Sequence, residues 1–354
     1  MTSAAIFGCT GYRLSAQERA FFADANPWGF ILFRRNVESP DQVRALVQDL
    51  RDSVGRDDAP VLIDQEGGRV QRLGPPFWPK YPPGAAYLQA AEGDVFKARE
   101  LVRLGARLMA HDLHELGINV DCVPVMDVPV PGAHDIIGDR AYARDPQTVA
   151  QLGRAAAEGM LAGGVLPIIK HIPGHGRAFA DSHHDLPIVE TPLAELDAWD
   201  FVPFRAMSDM PMAMTAHVVF TAVDAEAPAT TSKAGIRLIR ERLGFGGLIM
   251  TDDLSMQALS GTLKERTEAS FKAGNDIVLH CNGKLDEMTE IASVTKTLGG
   301  IAARRAEAVL ERVVRTPEPL DVDAARARFA AAMEGRYQAA SGPDVGEAQA
   351  PELA

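Results

Sequence analysis

The sequence predicts an α/β fold, namely one single-domain (β/α)8 barrel of the TIM type. Short apolar, β-branched runs alternate with longer segments of helical period between residues 4 and 314, and there are eight of each. Near-continuous apolar runs are typical of parallel strands that are covered on both faces. A strand followed by a helix, repeated eight times, indicates a closed parallel barrel.

The predicted strands lie at residues 4–11, 29–36, 59–68, 119–128, 165–174, 211–220, 247–255 and 275–283. The predicted helices lie at residues 15–27, 39–55, 94–117, 145–164, 191–210, 232–244, 263–274 and 284–314. Ser39-Pro40 suits the cap and first turn of the second helix, and Gly117 suits the end of the third. A doubly wound open sheet is the competing architecture. It requires a GxGxxG turn after the first strand, and FGCTGYRLS at residues 7–15 lacks that spacing.

We expect no second catalytic domain in the rest of the chain. A further helical segment begins near residue 322, so we assign residues 1–335 to the barrel and its C-terminal helix. Residues 336–354 are small, polar and interrupted by proline, and we expect them to form a disordered tail.

Composition limits the partners and the compartment. The net charge is −12, and the 36 lysines and arginines form no block, so neither nucleic acid nor an anionic membrane is an expected partner. The three widely spaced cysteines predict neither a disulfide framework nor a cysteine-based zinc site, and they suit a reducing compartment. The first residues resemble neither a signal peptide nor a membrane span, so we expect a cytoplasmic protein.

Polar residues interrupt the apolar runs at the same end of most strands. They are Asp64, Asp127, Lys170, His171, His217, Asp252, Asp253 and Asn282, with Asp139 and Arg140 in the loop after the fourth strand. Buried polar groups are costly without partners, and the C-terminal ends of barrel strands carry active sites. The pattern therefore predicts a site at that end of the barrel.

Asp252 is the candidate nucleophile among these residues. A carboxylate at a strand end that faces the barrel axis can attack an electrophilic carbon and form a covalent intermediate. The structural alternative is a helix cap, a role that suits Asp253 or Ser255. We expect Asp252 to point inward and Asp253 to cap the next helix.

The segment KHIPGHGRAFADSHHDLP, residues 170–187, contains four of the nine histidines. His171 and His175 have the i, i+4 spacing of a helical zinc site, but Pro173 and Gly174 between them exclude a regular helix. A metal site built from scattered histidines remains an alternative. The interpretation that we favour is an acid/base loop that delivers an imidazole, His183, which Asp181 orients and tunes.

Several motifs together resemble a known family. LIDQEGGRVQRL (62–73), IGDRAYARDP (137–146), the 170–187 segment, PATTS (228–232) and LIMTDDLSM (248–256) occur in this order. The combination is similar to the glycoside hydrolase family 3 β-N-acetylglucosaminidases of bacterial peptidoglycan recycling, in their single-domain form. The similarity extends from about residue 25 to residue 285.

The resemblance implies roles for particular residues. Asp252 would be the nucleophile, and His183, assisted by Asp181, would be the acid/base. The residues implied in binding the terminal N-acetylglucosamine (GlcNAc) are Asp64, Arg72, Arg140, Lys170 and His171. No metal and no organic cofactor would be required.

The function that the resemblance implies is the exo-acting, retaining removal of GlcNAc from (1,6-anhydro)muramyl peptides. We expect the enzyme to act as a monomer. Three alternatives remain open at this point. They are a phosphorylase with the same residues, a metal-dependent barrel hydrolase, and a sugar-binding sensor without turnover.

Overall fold

Eight parallel strands close into a barrel in the computed structural model, which describes residues 1–178, 182, 185–313 and 316–341. The strands are β1 (Ser3–Phe7), β2 (Pro27–Leu32), β3 (Val61–Ile63), β4 (Val120–Asp121), β5 (Leu166–Ile172), β6 (Met212–Thr215), β7 (Leu248–Asp253) and β8 (Ile277–His280). Each strand pairs with its neighbours in sequence, and β8 returns to β1 with Ile6 beside Leu279. The predicted (β/α)8 barrel is confirmed.

The helices lie between and after the strands. They are α1 (Ala16–Ala25), α2 (Pro40–Val54), α3 (Gly84–Ala90), α4 (Val95–His114), α5 (Pro146–Ala162), α6 (Leu193–Ala198), α7 (Val202–Ala206), α8 (Lys233–Arg237), α9 (Leu263–Ala273), α10 (Leu285–Ala292), α11 (Gly300–Val313) and α12 (Val322–Met333). Among the residues described, no helix has both the length and the apolar character needed to cross a membrane.

Local sequence sets many of the helix ends. Ser39 caps α2 by accepting a hydrogen bond from the Gln42 amide, and Pro40 occupies the first turn, as predicted.

Gly159 lets α5 approach α4 closely, since a Cβ there would lie 2.4 Å from the carbonyl oxygen of Arg103.

Several predicted elements differ from the structure. The helix predicted at 191–210 is two helices, because Pro203 starts a new first turn in α7. The helix predicted at 284–314 is divided into α10 and α11 before Gly300. The strand predicted at 119–128 pairs regularly with its neighbours only at Val120–Asp121. After a cis Val123–Pro124 bond, Val125 forms one isolated β-bridge with Lys170.

Helix α12 packs against the barrel through an aromatic cluster. The Phe329 ring is fully buried, with its centroid 6.2 Å from that of Tyr81 and 5.0 Å from that of Tyr337. The Tyr81 hydroxyl donates a 2.7 Å hydrogen bond to Asp112, which also pairs with Arg326 of α12. These contacts join α12 to α4 and to the segment before α3.

Residues 336–341, at the start of the predicted tail, contact the barrel. The backbones of Gln338 and Lys80 exchange hydrogen bonds of 3.1 and 2.8 Å, and the Ser341 amide donates to the carbonyl of Pro76. Residues 342–354 lie outside the described residues, and the division at residue 335 stays a prediction.

Replacing Phe329 with alanine tests whether α12 is integral to the fold. Phe329→Ala removes a fully buried ring and is expected to lower the free energy of unfolding by about 3–5 kcal/mol. Urea unfolding followed by circular dichroism measures the change. The matched control is Phe96→Ala in α4, whose side chain is 75% exposed and whose loss is expected to cost less than about 0.5 kcal/mol. Equal effects of the two variants would contradict the prediction.

Candidate active site

A cavity of about 340 Å³ opens at the C-terminal end of the barrel strands. Its charged and titratable lining residues include Asp64, Glu66, Arg69, Arg72, Arg140, Lys170, His171, His175, Asp252 and Asp253. The structure therefore brings together Asp252 and all five predicted sugar-binding residues. Asp181 and His183 lie outside the described residues, and their roles stay predictions.

Lys170 lies at the centre of the charged groups. Its side chain is almost fully buried at the end of β5, and its Nζ atom lies 2.8 Å from Asp64 and 2.6 Å from Glu66. Asp64 follows β3 directly, and Glu66 is two residues further along. Because side chains two residues apart in an extended segment point to the same side, both carboxylates face the lysine.

Two arginines complete this network. Arg140 binds Glu66 through two parallel hydrogen bonds of 2.8 Å, and Arg72 donates a 3.1 Å hydrogen bond to Asp64. The guanidinium of Arg72 also lies 5.1 Å from the ring centre of Phe33, which lines the cavity. We call Asp64, Glu66, Arg72, Arg140 and Lys170 the binding network, because the family resemblance implies a role in sugar binding for all of them except Glu66.

The binding network keeps its charges over the working pH range. Burial opposes ionisation of Glu66, but the Arg140 and Lys170 cations outweigh it and lower the pKa of the carboxyl to about 2. Burial likewise opposes ionisation of Asp64, and Lys170 and Arg72 lower its pKa well below the usual value. Burial also disfavours the Lys170 cation, yet the two carboxylates raise its pKa above normal.

Asp127 anchors the start of the 170–187 segment. It is fully buried, and its carboxylate lies 2.7 Å from His171 Nδ1 and accepts a 2.7 Å hydrogen bond from the His175 amide. Burial opposes its ionisation, but the His171 contact outweighs this and lowers the pKa of Asp127. Asp127 thus fixes the orientation of the His171 ring, which lines the cavity.

Asp252 and Asp253 both lie at the end of β7 and line the cavity. One Asp252 oxygen accepts a 2.8 Å hydrogen bond from the Asp253 amide. The Asp253 carboxylate accepts from the amide and hydroxyl of Ser255 and from the Cys281 amide. The expectation that Asp253 caps the next helix is wrong, because Thr262 caps α9 and Asp253 instead shapes the turn after β7.

His217 supports the same strand end from β6. Its Nε2 atom lies 2.9 Å from the Asp253 carbonyl oxygen, and its Nδ1 atom lies 2.8 Å from the Thr230 hydroxyl. Asn282, the other strand-end residue left without a role, donates to Glu287 of α10 and is not among the cavity residues.

Sequence reasoning missed Glu66 and His175. The signal for Glu66 was present, since a second carboxylate two residues after Asp64 points to the same side. His175 was noticed only as half of an i, i+4 pair. In the structure its ring is 4% exposed and lies 3.0 Å from the Ser182 hydroxyl.

A metal site built from scattered histidines was the alternative interpretation of the 170–187 segment, and residues 179–181 and 183–184 of that segment lie outside the described residues. Within the described ranges of the chain, no group of three or more His, Cys, Asp or Glu side chains is arranged to hold a metal ion. Asp64 and Glu66 are instead paired with lysine and arginine.

Comparison with known proteins agrees with this geometry. Residues 5–316 match the family model described as the glycosyl hydrolase family 3 N-terminal domain. A protein named beta-hexosaminidase from Methylococcus capsulatus is 40% identical over 281 residues, which are 78% of this chain and 82% of that protein.

Solved structures show the same relationship. NagZ from Neisseria gonorrhoeae in complex with N-trifluoroacetyl-D-glucosamine superposes with a TM-score of 0.80 at 31% identity, over 94% of this chain and 98% of that chain. NagZ from the same organism in complex with a zinc ion superposes with a TM-score of 0.77 at 31% identity, over 94% of this chain and 96% of that chain. The family match covers most of the chain and includes every residue of the cavity. The protein therefore belongs to glycosyl hydrolase family 3 and is a glycoside hydrolase.

Proposed function

We propose that the protein is an exo-acting, retaining β-N-acetylglucosaminidase that removes the non-reducing terminal GlcNAc from (1,6-anhydro)muramyl peptides. The observation that carries the proposal is the cavity, in which Asp252 shares one small space with the binding network. Two further observations support it. The relatives are named beta-hexosaminidases, and a glucosamine derivative is bound in a structural neighbour.

The cavity suits one terminal sugar. At about 340 Å³ it is at the small end of the range of ligand pockets, so it matches a single pyranose with its substituents rather than a run of sugars. The charges of the binding network suit hydroxyl groups, because a carboxylate accepts from them and a guanidinium or ammonium donates to them. His171, oriented by Asp127, adds one more polar group at the same wall.

The proposed mechanism has two displacements. Asp252 attacks C1 of the sugar while His183, assisted by Asp181, protonates the leaving oxygen. His183 then acts as a base and activates the water that hydrolyses the glycosyl-enzyme. The usual acid/base in such enzymes is a second carboxylate, and an imidazole in its place avoids repulsion of a substrate that carries its own carboxylates.

The alternatives make different predictions. A phosphorylase transfers the sugar to phosphate and requires that anion, a metal-dependent hydrolase loses activity to a chelator, and a sensor binds sugar without turnover. The zinc complex of a relative makes the chelator condition informative for this chain.

The first prediction concerns the nucleophile. In phosphate-free buffer with a chelator, wild type is expected to release the phenol from an aryl β-N-acetylglucosaminide. Asp252→Asn is expected to lower kcat by at least about 1,000-fold, because it removes the attacking carboxylate. Phenol absorbance measures both.

The matched control is Asp253→Asn at the next position of β7. Its amide oxygen can still accept from the Ser255 and Cys281 amides, so we expect a loss below about tenfold. Wild-type activity that depends on phosphate or metal would contradict hydrolysis without a cofactor. An equal loss in the two variants would contradict the assignment of Asp252.

A second prediction concerns Glu66. Glu66→Gln removes the charge that holds Arg140 and Lys170, and hydrogen bonds of this kind are worth about 1.5–3 kcal/mol. We expect kcat/KM to fall about 10- to 100-fold, mainly through KM. The control is Glu268→Gln on the exposed side of α9, which is expected to match wild type. A fall in kcat alone would contradict a role in sugar binding.

The same variant has a pH dependence of known sign. The pKa of Glu66 is lowered from 4.5 to about 2 on folding, so its contribution to stability is fully present above pH 4.5 and is lost as the pH falls toward 2. The difference in the free energy of unfolding between wild type and Glu66→Gln is therefore expected to be larger at pH 7 than at pH 3. Urea titrations at the two pH values measure it, and an unchanged difference would argue against the linkage.

A further prediction concerns the substrate. If an imidazole suits an anionic leaving group, His183→Glu is expected to lose several-fold more activity on a muramyl peptide substrate than on a neutral aryl glycoside. Parallel kcat/KM measurements on the two substrates check this. Equal losses would reject the charge argument while leaving the glycosidase proposal intact.

A further inference from the structure

We propose that His175 and Ser182 are positioning residues, which set how the predicted pair Asp181 and His183 is presented to the cavity. The inference rests on the proposed function. Ser182 is the covalent neighbour of both members of that pair, so a contact that fixes Ser182 restrains the chain on either side of it.

The contact itself is buried. His175 Nε2 lies 3.0 Å from the Ser182 hydroxyl, and the two residues are only 4% and 3% exposed. Burial and the neighbouring His171 lower the pKa of His175 to about 4, so the ring is neutral above about pH 5. A neutral imidazole still has one donor and one acceptor nitrogen, and the serine hydroxyl can complement either. The hydrogen bond therefore persists over the pH range in which the enzyme is expected to work.

His175 is itself held by the barrel. Its amide donates a 2.7 Å hydrogen bond to Asp127, the fully buried carboxylate that also contacts His171. Gly176, the next residue, lies close to the segment that follows β4, because a Cβ at Gly176 would be 2.1 Å from the Val128 carbonyl oxygen. The start of the 170–187 segment is thus fixed against the barrel, and His175 can act as a rigid support.

Ser182 is also held from a second direction. Its carbonyl oxygen accepts a 3.3 Å hydrogen bond from the Ala258 amide, five residues after the end of β7 at Asp253. The serine therefore connects the support at Asp127 and His175 with the chain that follows Asp252. A residue tied to both is well placed to fix the distance between an acid on the 170–187 segment and a nucleophile on β7.

Leaving groups separate positioning of an acid from a general structural role. Expulsion of 2,4-dinitrophenol needs little protonation, whereas expulsion of phenol depends on the acid. Ser182→Ala is expected to lower kcat/KM about 10- to 100-fold for phenyl β-N-acetylglucosaminide, and less than about threefold for the 2,4-dinitrophenyl glycoside. Because kcat/KM covers the steps up to cleavage of the glycosidic bond, the ratio of the two losses measures how well the acid protonates the leaving group.

Two further variants control the experiment. His175→Gln keeps an amide nitrogen near the position of Nε2. Its loss on the phenyl glycoside relative to the dinitrophenyl glycoside is therefore expected to be smaller than that of Ser182→Ala. Ser293→Ala removes an exposed hydroxyl after α10 and is expected to match wild type. Urea midpoints within experimental error of wild type show that each variant folds.

The outcomes are distinct. If wild type cleaves both substrates and Ser182→Ala reduces both equally, or neither, the inference is overturned and the proposed function stands. If Ser182→Ala does not fold, His175→Gln is compared with His175→Leu, which cannot form the hydrogen bond. If the two variants show the same loss on the phenyl glycoside relative to the dinitrophenyl glycoside, the inference is overturned. If wild type cleaves neither substrate, the proposed function is wrong and the inference falls with it.

Discussion

The ammonium group of Lys170, buried between two carboxylates, is the interaction on which the rest of the site depends. A lone buried cation is strongly disfavoured, and the pair of contacts at 2.8 and 2.6 Å is what keeps it charged. Asp64 and Glu66 in turn need Arg72 and Arg140, because one lysine does not satisfy two carboxylates. The result is a set of charges in which each member holds the next, so that the polar wall of the cavity is organised by its own contacts. The sugar that we propose as substrate would therefore bind with little reorganisation of this wall.

That arrangement follows from the order of the strands in the barrel. Lys170 belongs to β5, Asp64 and Glu66 follow β3, and β4 lies between these two strands. Beyond its short ladder, the chain after β4 still pairs with β5 through Val125 and contributes Asp127, which contacts the neighbouring His171. The charged groups, which are distant in sequence, therefore meet across one intervening strand.

The sequence was most informative where a single physical rule decides the outcome. Apolar runs with polar ends predicted the barrel strands and the location of Asp64, Lys170 and Asp252 at one end, and burial leaves such groups few alternatives. It was less informative where partners are set by tertiary contacts. The spacing from Asp64 indicated which side Glu66 faces, but its partner Arg140, 74 positions away, could not be predicted from the sequence. Likewise Asp253 was expected to cap a helix, but its carboxylate accepts hydrogen bonds from the Ser255 amide and from the Cys281 amide just after β8.

In the proposed mechanism, the site divides into a part that holds charge and a part that moves protons. The carboxyls of the binding network have lowered pKa values and its lysine a raised one, so none of these three groups titrates between about pH 5 and 8. Nearby, burial also keeps the His175 ring neutral, with a pKa of about 4. A proton that moves in this pH range must therefore move on a group outside both sets. In the proposed mechanism, the pH dependence of turnover would therefore arise from the predicted pair Asp181 and His183. Such a separation would have a physical advantage, because a sugar held by fixed charges would stay in place while the acid changes its protonation state.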